Sequence, residues 1–353
     1  MVKIAFALPV PNSKIIGGYK VVYEYANYMA SKGCNVTLFY NAHNGENSKH
    51  LPRSIVFFLR WRIGKFGPKW HKLDKRIDKK VLRNYDKITF DGFDSVIATA
   101  TETAQFVNKS NASKWYFVQG FENWERSSEE VVESYKLDLK IIAISKWLQK
   151  IIEESTRKEV VYIPNGVDKA VFHEIIAYKD RGIHTLSSLY HWDDNKGSDI
   201  ALRIIYRLKK KYSDFEAYLF GAPPRNKEWP SWIHYIQYAK PDEVCECMNK
   251  TRVFLCTSRQ EGFGLTGLES IFSGCCLVTT DCLGIREYAS ENNSYICSVD
   301  DEQALFESVC SAFDNSDENK KKREKCKSVI GAFDSDESKD MFYKVVLGSR
   351  LCS

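Results

Sequence analysis

The chain has 353 residues, of which 44% are hydrophobic and 27% charged, and it carries a net charge of +5 at pH 7. This is more than one hydrophobic core usually serves, so we expect two domains of ordinary size. The composition excludes collagenous, disordered and disulfide-scaffold proteins and predicts a soluble globular chain.

The amino-terminal run MVKIAFALPVP is too short for a signal peptide, and no apolar stretch approaches the length of a spanning helix. We therefore expect a cytoplasmic protein. Ten of the eleven cysteines lie at or after position 245, and an odd number does not form a paired framework, so reduced, buried thiols are predicted. No metal is expected, because neither Cys245 and Cys247 nor Cys275 and Cys276 has a second ligand pair.

The first half of the chain alternates strand-like and helix-like segments. KIAFALPV has the pattern of a short buried strand, and GYKVVYEYANYMASKG carries apolar residues at helical spacing and stops at Gly33. NVTLFY is the next predicted strand, and later ones are predicted in SVIATA, WYFVQG, LKIIAIS and EVVYIPNG.

A second alternating series begins after Asp168. Its predicted strands are HTLSSLYHW, FEAYLFGA, RVFLCTS and CLVTTD, and helices are predicted over 198–211 and 265–273. Two consecutive series predict two parallel-sheet domains, each with helices on both faces, joined near Pro164.

A strongly basic segment lies in the first half. Residues 51–88 hold twelve basic and three acidic residues, a net charge of +9 that leaves the other residues at −4. Large rings are interleaved with the charges: Phe57, Phe58, Trp61, Phe66 and Trp70. The stretch from Arg53 to Lys87 suits an anionic membrane surface, but a solvated face with inward-packed rings would show the same pattern. No signature of nucleic-acid binding accompanies the charge, so no nucleic-acid partner is expected.

Two loops that follow predicted strands are candidates for ligand binding, because open parallel sheets bind ligands beyond the carboxyl ends of their strands. In PNSKIIGGYK, Gly17 and Gly18 precede a helix and leave its amides open to an anion or a sugar. A tight turn would also account for the two glycines, and the GxGxxG dinucleotide pattern is absent.

The second loop, TSRQEGFGLTGLES, follows a strand and opens a helix. Gly262, Gly264 and Gly267 leave amides accessible around the helix N-terminus, which suits phosphate. Glu269 falls at the flank of the inward stripe, where a carboxylate needs donors such as ribose hydroxyls. Alternatively, Glu261 and Glu269 only complement the helix dipole.

Several motifs together resemble the retaining glycosyltransferases of family 4, which have the GT-B fold. The resemblance rests on two glutamates separated by seven residues in SRQEGFGLTGLESIFSGCCLVTTD, and on IPNGVD, NKGSDIALRII and GGYKVVYEYANYMASKGCNVTLFY, in family order. It implies two Rossmann-like parallel-sheet domains facing each other across a cleft. Residues 1–163 would be the acceptor-side domain, 164–330 the nucleotide-sugar-binding domain, and 331–353 a helix that crosses back to the first domain.

The segment AFDSDESKDMFYKVVL near the end of the chain is amphipathic. Its predicted apolar stripe consists of Met341, Phe342, Val345 and Val346. The family resemblance makes Phe342 and Val346 packing residues of this last helix.

The resemblance also assigns roles to individual residues. Glu261 is expected to contact the transferred sugar, Lys196 to neutralise the departing diphosphate, and Glu269 to bind the ribose. Further donor contacts are implied for Gly17, Gly18, Tyr190, Arg259, Gly262, Phe263, Gly264, Leu265 and Thr266. The donor is a nucleotide-diphosphate sugar, bound as a substrate, and no cofactor or metal is implied, because a lysine and a helix N-terminus can stabilise the leaving diphosphate.

The chain departs from the family pattern at two positions. Tyr190 stands where many members have an arginine, and a tyrosine cannot make the bidentate phosphate contact, so Arg225 or Arg259 is a candidate replacement. Gln119 stands where many members have a histidine, and it is followed by Glu122. Proton acceptance would pass to Glu122, the acceptor or the departing phosphate; alternatively, Glu122 is a surface carboxylate paired with the basic segment.

The resemblance implies a metal-independent glycosyltransferase of cell-surface polysaccharide or glycoconjugate assembly, with a saccharide or lipid-linked acceptor at the inner membrane face. A GT-B epimerase acting on a sugar nucleotide is one alternative. A catalytically silent partner subunit is another, which Tyr190 and Gln119 leave open.

Overall fold

The computed structural model describes residues 1–13, 16–42, 52–68, 70–83, 85, 90–123 and 126–348. The chain divides into two compact units. The first comprises residues 1–164 and the C-terminal residues from Ser338 onward, and the second is Asn165–Glu337.

The first unit is built on a seven-stranded sheet whose strands are all parallel. They are β1 (Lys3–Leu8), β2 (Asn35–Asn41), β3 (Asp78–Leu82), β4 (Ser95–Ala98), β5 (Ser113–Val118), β6 (Lys140–Ala143) and β7 (Val160–Tyr162). Their spatial order is β3-β2-β1-β4-β5-β6-β7, so the direction of winding reverses between β1 and β4. The central strands are continuous apolar runs because helices cover both faces of such a sheet.

The helices of this unit lie between strands. They are α1 (Gly17–Ser31), α2 (Arg53–Phe66), α3 (Thr101–Val107), α4 (Ser128–Lys136) and α5 (Lys146–Thr156). Of these, α1 is the one that the sequence analysis predicted, and it buries Val22, Tyr25, Ala26 and Met29, the residues whose spacing indicated it.

The basic segment contains a helix and an edge strand, of which the sequence analysis predicted neither. Helix α2 packs closely on β3, since a Cβ at Gly64 would lie 2.5 Å from the Val81 Cγ2 atom. The large aromatic side chains of α2 do not all fit one interpretation of the basic segment. Phe57 and Trp61 are half-buried, as inward packing requires, whereas Phe58 and Phe66 are exposed, as a membrane surface requires. Lys69 and Lys87, which belong to the predicted surface, lie outside the described residues.

The second unit is built on a six-stranded sheet, again wholly parallel. Its strands are β8 (Thr185–Tyr190), β9 (Glu216–Gly221), β10 (Ile233–Gln237), β11 (Val253–Cys256), β12 (Cys276–Thr280) and β13 (Tyr295–Cys297). The order β10-β9-β8-β11-β12-β13 reverses between β8 and β11 and is that of a doubly wound nucleotide-binding sheet. The helices are α6 (Ser198–Lys211), α7 (Pro241–Asn249), α8 (Leu265–Phe272), α9 (Glu302–Asp314) and α10 (Ser316–Ala332).

Two helices of this unit test the predicted boundaries directly. The helix over 198–211 is confirmed, and the one over 265–273 ends one residue earlier, at Phe272. The ten cysteines among the described residues are all free and buried, as predicted. No helix in the described part of the chain is both long enough and apolar enough to span a bilayer.

The last helix, α11 (Ser335–Leu347), packs in the first unit through Phe342, and Val346 and Leu347 are buried as well. The Phe342 ring is fully buried, with ring centroids 4.5 Å from Tyr25, 5.2 Å from Phe117 and 6.3 Å from Phe6. The predicted stripe is wrong at Met341, which is 42% exposed. One residue is a rotation of about 100° on a helix, enough to turn Met341 away from the face that Phe342 presents.

These two neighbouring residues provide a matched test of the packing. Phe342→Ala removes a ring from a closed aromatic cluster, and we expect it to lower the free energy of unfolding of the first unit by about 3–5 kcal/mol. Met341→Ala should change it by less than about 0.5 kcal/mol, because the side chain is exposed. Chemical denaturation of the full-length variants measures both values, and equal losses would contradict this packing.

Candidate active site

The second sheet provides a crevice where its winding reverses. Strands β8 and β11 are neighbours, and their following connections leave the carboxyl edge in opposite directions, which is where doubly wound sheets bind ligands. The connection after β8 contains Lys196, and the one after β11 contains Glu261.

Hydrogen bonds to backbone carbonyl groups connect these two loops. The Arg259 amide donates to the Asn195 carbonyl at 2.7 Å, and the Thr257 hydroxyl donates to the Gly197 carbonyl at 2.8 Å. Gly197 has a φ of +61°, and a Cβ there would lie 2.1 Å from the Thr257 carbonyl oxygen. Only glycine fits this position, so the turn that carries Lys196 is fixed against β11.

Lys196 and Glu261 form an ion pair across the junction. The Lys196 ammonium donates to Glu261 Oε1 at 2.7 Å, and the Ser258 hydroxyl donates to the same oxygen at 2.8 Å. Burial disfavours the charge on Lys196, but the negative charge and hydrogen bond of Glu261 outweigh it and raise the pKa of Lys196. The lysine therefore carries a positive charge at physiological pH.

The loop after β12 holds Glu261 from the other side. The Glu261 amide donates to the Cys282 carbonyl at 3.1 Å, and the Gly284 amide donates to the Glu261 carbonyl at 3.2 Å. A Cβ at Gly284 would lie 2.5 Å from the carbonyl of Gly262, so the two loops are in backbone contact. Glu261 is thereby positioned by three consecutive loops of the sheet.

Helix α8 begins immediately after this junction. Gly264 occupies the N-cap with a φ of +82°, and the Tyr288 hydroxyl donates to its carbonyl. Because the N-cap is a glycine, it supplies no side-chain acceptor to the first amides of the helix. Leu265 and Thr266 are partly exposed there, in an arrangement that suits an anion.

Two other predicted residues of this helix region are buried. The Phe263 ring packs at 5.8 Å from Tyr288 and 5.9 Å from Phe333, so only its backbone is suited to a donor contact. Glu269, in the second turn of α8, is 6% exposed. A carboxylate at such a depth requires hydrogen-bond donors.

The structure places the replacement candidates for the family arginine in different surroundings. The Tyr190 ring packs edge-on against Trp229 and Tyr235, at 4.9 Å and 5.9 Å, and forms an aromatic wall. Arg225 donates to the carbonyls of Trp229, Pro230 and Ile233 and thus holds the loop after β9.

Arg259, by contrast, lies beside the turn that carries Lys196. Its guanidinium pairs with Asp300 at 2.7 Å, lies 3.7 Å from Asp199 and donates to the Asp194 carbonyl. It is the better placed of the two arginines, although two carboxylates balance its charge.

The remaining predicted residues lie in the first unit, at the carboxyl ends of its strands. A Cβ at Gly18 would lie 3.4 Å from Gln119 Nε2, so the start of α1 and the residue after β5 are in contact. Gly17 is exposed, and a Cβ there would have no neighbour within 4 Å among the described residues.

Glu122 follows the same strand and turns toward α3. Its Oε2 accepts a hydrogen bond from the Thr101 amide at 2.8 Å. Burial raises the pKa of Glu122 to about 7, and the hydrogen bonds of Thr101 only partly oppose this shift. The structure therefore ties Glu122 to the N-terminus of α3.

Sequence reasoning missed the residues that position Glu261. Ser258 contributes a hydroxyl, and Cys282 and Gly284 contribute backbone groups. Ser258 begins the motif SRQEGFGLTGLES but was given no role there, and none of the motifs contains Cys282 or Gly284. The rule that ligands bind after parallel strands applied equally to the loop that follows CLVTTD and would have drawn attention to Cys282 and Gly284. Among the described residues, no group of three or more His, Cys, Asp or Glu side chains is placed to hold a metal ion.

Residues 180–315, which contain Lys196, Glu261 and Glu269, match the family model for glycosyl transferases group 1. No curated protein matches the chain by sequence.

Solved structures resemble the chain over its whole length. The sucrose-phosphate synthase of Thermosynechococcus elongatus has a TM-score of 0.76 at 10% identity and covers 100% of both chains. HepE of Anabaena, in complex with UDP and glucose, has a TM-score of 0.74 at 12% identity and covers 98% of this chain and 99% of its own. A TarM mutant of S. aureus, in complex with UDP and α-GlcNAc-glycerol, has a TM-score of 0.70 at 10% identity and covers 97% of this chain and 99% of its own.

Identities this low establish the fold alone. The fold is GT-B, with two Rossmann-like parallel-sheet domains, and the fold class predicted from the sequence is confirmed.

Glu122 gives the first unit a pH dependence that can be measured. A carboxyl group whose pKa rises from 4.5 to about 7 on folding stabilises the fold while it is protonated. That contribution is complete below about pH 4.5 and is lost as the pH rises to about 7. Relative to Glu122→Gln, the wild type should lose on the order of 2 kcal/mol of unfolding free energy across this window.

Denaturant unfolding at a series of pH values measures the difference between the two proteins. Glu159→Gln, at an exposed carboxylate of the same unit, is the control, and its difference from wild type should stay flat. A flat difference for Glu122→Gln as well would show that this carboxyl group titrates normally.

Proposed function

We propose that the chain is a retaining glycosyltransferase of family 4, which moves a sugar from a nucleotide-diphosphate donor to a hydroxyl acceptor. The observation that carries the proposal is the Lys196–Glu261 ion pair of 2.7 Å. It lies between the loops after β8 and β11, beside the start of α8, and within the region that matches the group 1 model.

The chemistry of the leaving group explains why a lysine belongs there. When the bond between sugar and phosphate breaks, negative charge develops on the diphosphate, and fixed positive groups aimed at it stabilise the transition state. Lys196 supplies a full charge, and the first amides of α8 supply the partial charge of a helix N-terminus. Since these groups take the role that a cation has in other transferases, we propose a metal-independent reaction.

Glu261 has two tasks in this proposal. An ammonium group has three N–H donors, so Lys196 can keep its bond to Glu261 and still donate to a phosphate oxygen. Glu261 thereby orients the lysine toward the diphosphate, while its second carboxylate oxygen accepts from a hydroxyl of the transferred sugar. Glu269 is buried four helix positions beyond Leu265 and would accept the ribose hydroxyls.

The first unit would provide the acceptor side. Gln119 and Gly18 touch, and Glu122 lies three residues further along the chain with a pKa near 7. A carboxyl group with that pKa is able to accept the proton of the acceptor hydroxyl near neutral pH. We propose a saccharide or lipid-linked acceptor, in the assembly of a cell-surface polysaccharide or glycoconjugate.

The ligands of two similar structures support the proposed substrates. HepE was crystallised with UDP and glucose, and the TarM mutant with UDP and α-GlcNAc-glycerol. Both pair a nucleoside diphosphate with a sugar or a glycoside, which is the substrate class proposed for this chain.

The lysine can be tested by its selectivity for the second phosphate. Lys196→Met should lower affinity for a nucleoside diphosphate by about tenfold or more, because a charge-assisted hydrogen bond is lost, and should change affinity for the monophosphate much less. Calorimetric titration with UDP, GDP, ADP and dTDP identifies the base and measures the loss. Lys210→Met, at an exposed lysine of α6, should bind as wild type does.

The same titrations test the ribose contact. Glu269→Ala should lower affinity for the ribonucleotide but leave affinity for its 2′,3′-dideoxy analogue unchanged. The variant lacks the carboxylate and the analogue lacks the ribose hydroxyls, so either change alone already removes the same interaction. Binding that is insensitive to both variants, or a wild type that binds no nucleoside diphosphate, would eliminate the donor site.

Product analysis tests the reaction itself. With a donor labelled at the anomeric carbon, NMR should show that the sugar keeps its anomeric configuration, either in the glycoside or in the sugar first released by slow hydrolysis. Inversion would contradict the retaining mechanism. Recovery of an epimerised donor would identify an epimerase, and tight donor binding without any turnover would identify a silent partner subunit.

A further inference from the structure

Helix α2 carries an apolar stripe on its outer face. Ile55, Phe58, Leu59 and Phe66 are 44%, 55%, 46% and 73% exposed. They occupy positions i, i+3, i+4 and i+11 of one helix, which places all four on the same side. A contiguous exposed patch of large apolar side chains marks an interaction surface more often than an accident of composition.

The opposite face fixes the helix to its unit. A Cβ at Gly64 would lie 2.5 Å from Val81 Cγ2 and 3.1 Å from Pro11, so the helix approaches the sheet closely. The Arg60 guanidinium donates to the Ala42 carbonyl at 2.7 Å, and the Phe57 ring lies 4.8 Å from the guanidinium of Arg83. The outer stripe is therefore not needed to hold α2 in place.

Cationic side chains accompany the stripe. Arg62 lies seven residues after Ile55 and shares its face, and the exposed Lys65 flanks it. The residues that follow α2 include two further exposed bases, Lys72 and Lys75. The whole region 51–88 has a net charge of +9.

We propose that this face of α2 docks on an anionic phospholipid bilayer. The stripe of Ile55, Phe58, Leu59 and Phe66 would lie at the boundary between headgroups and acyl chains. Arg62 and Lys65 would extend their charged ends to the lipid phosphates while their alkyl stems stay among the apolar groups.

The positive charge beside the stripe favours a bilayer over a second copy of the chain as the partner of this face. Two copies paired through α2 would bring like charges together around the apolar contact, which costs free energy. An anionic lipid surface instead complements Arg62 and Lys65 and accepts the apolar stripe. Docking is independent of the proposed sugar transfer, and it would hold the first unit where a lipid-linked acceptor is presented.

Co-sedimentation of the full-length protein with vesicles tests the surface. We expect binding to phosphatidylcholine vesicles that contain phosphatidylglycerol, weakened by salt, and little binding to phosphatidylcholine alone. Phe58→Ser combined with Phe66→Ser, and separately Arg62→Glu combined with Lys65→Glu, should each weaken binding by about tenfold or more.

Matched substitutions in the second unit are the controls. Ile175→Ser with Ile183→Ser removes two apolar side chains that are 57% and 52% exposed, and Lys320→Glu with Lys321→Glu reverses two exposed charges. These variants should sediment as wild type does, and the Tm of every variant without vesicles reports that it is folded.

Three results would overturn the docking surface. One is equal binding of neutral and anionic vesicles, and another is wild-type binding by both α2 variants. The third is a wild-type dimer that the α2 variants convert to a monomer, which would assign the stripe to a second copy. None of these results depends on donor binding, so the transferase proposal stands or falls separately.

Discussion

The second unit depends on the close approach of Gly197 to the carbonyl of Thr257. This contact joins the loop after β8 to the end of β11 at the point where the sheet reverses its winding. Any side chain at position 197 would push the two loops apart, and Lys196 would move with them. The single missing Cβ therefore determines where the positive charge of the site is held.

Charged side chains around Lys196 form two sets of ion pairs. Glu261 balances Lys196 directly and is itself fixed by Ser258 and by two backbone bonds to the loop after β12. Arg259, two residues earlier, is balanced by Asp300 and approached by Asp199. A buried charge without such partners would be costly, so the pairs keep the charges in place before a ligand arrives. Preorganised charges of this kind need no rearrangement when new charge develops beside them.

The sequence predicted most of the fold because most of the strands are buried on both faces. Runs such as KIAFALPV and RVFLCTS are continuous and apolar, and β1 and β11 lie at the centres of their sheets. The three strands that were missed, β3, β10 and β13, are all edge strands. Strands β3 and β10 contain exposed positions, and β13 has only three residues, so none of them shows the long buried apolar run that signals a central strand.

The candidate site was predictable to the extent that it is encoded locally. The glycines around Glu261 and the lysine before Gly197 belong to short motifs, and the structure brings Lys196 and Glu261 together. The Cys282 carbonyl contributes through a tertiary contact that no local pattern reveals, and Ser258, three residues before Glu261, contributes a hydroxyl to which the sequence analysis gave no role. The stripe of α11 failed at Met341 for a similar reason, since periodicity gives the width of an apolar face but not its direction.

The two sheets reverse their winding in the same way but treat the helix that follows differently. In the first unit that helix is α3, and its Thr101 amide already donates to the Glu122 carboxylate, which comes from the loop after the next strand. In the second unit it is α8, whose N-cap is Gly264; the carboxylate beside it, Glu261, comes from the loop that precedes this helix and is turned to Lys196.

An internal carboxyl group thus accepts from one helix N-terminus, while the N-terminus of α8 has no side-chain cap and lies beside the Lys196–Glu261 pair. One topology, used twice, therefore yields two different helix N-termini, and under the proposed function the diphosphate binds beside α8 while the first unit takes the acceptor hydroxyl. The difference between them depends on which loop supplies the carboxylate and which group receives it.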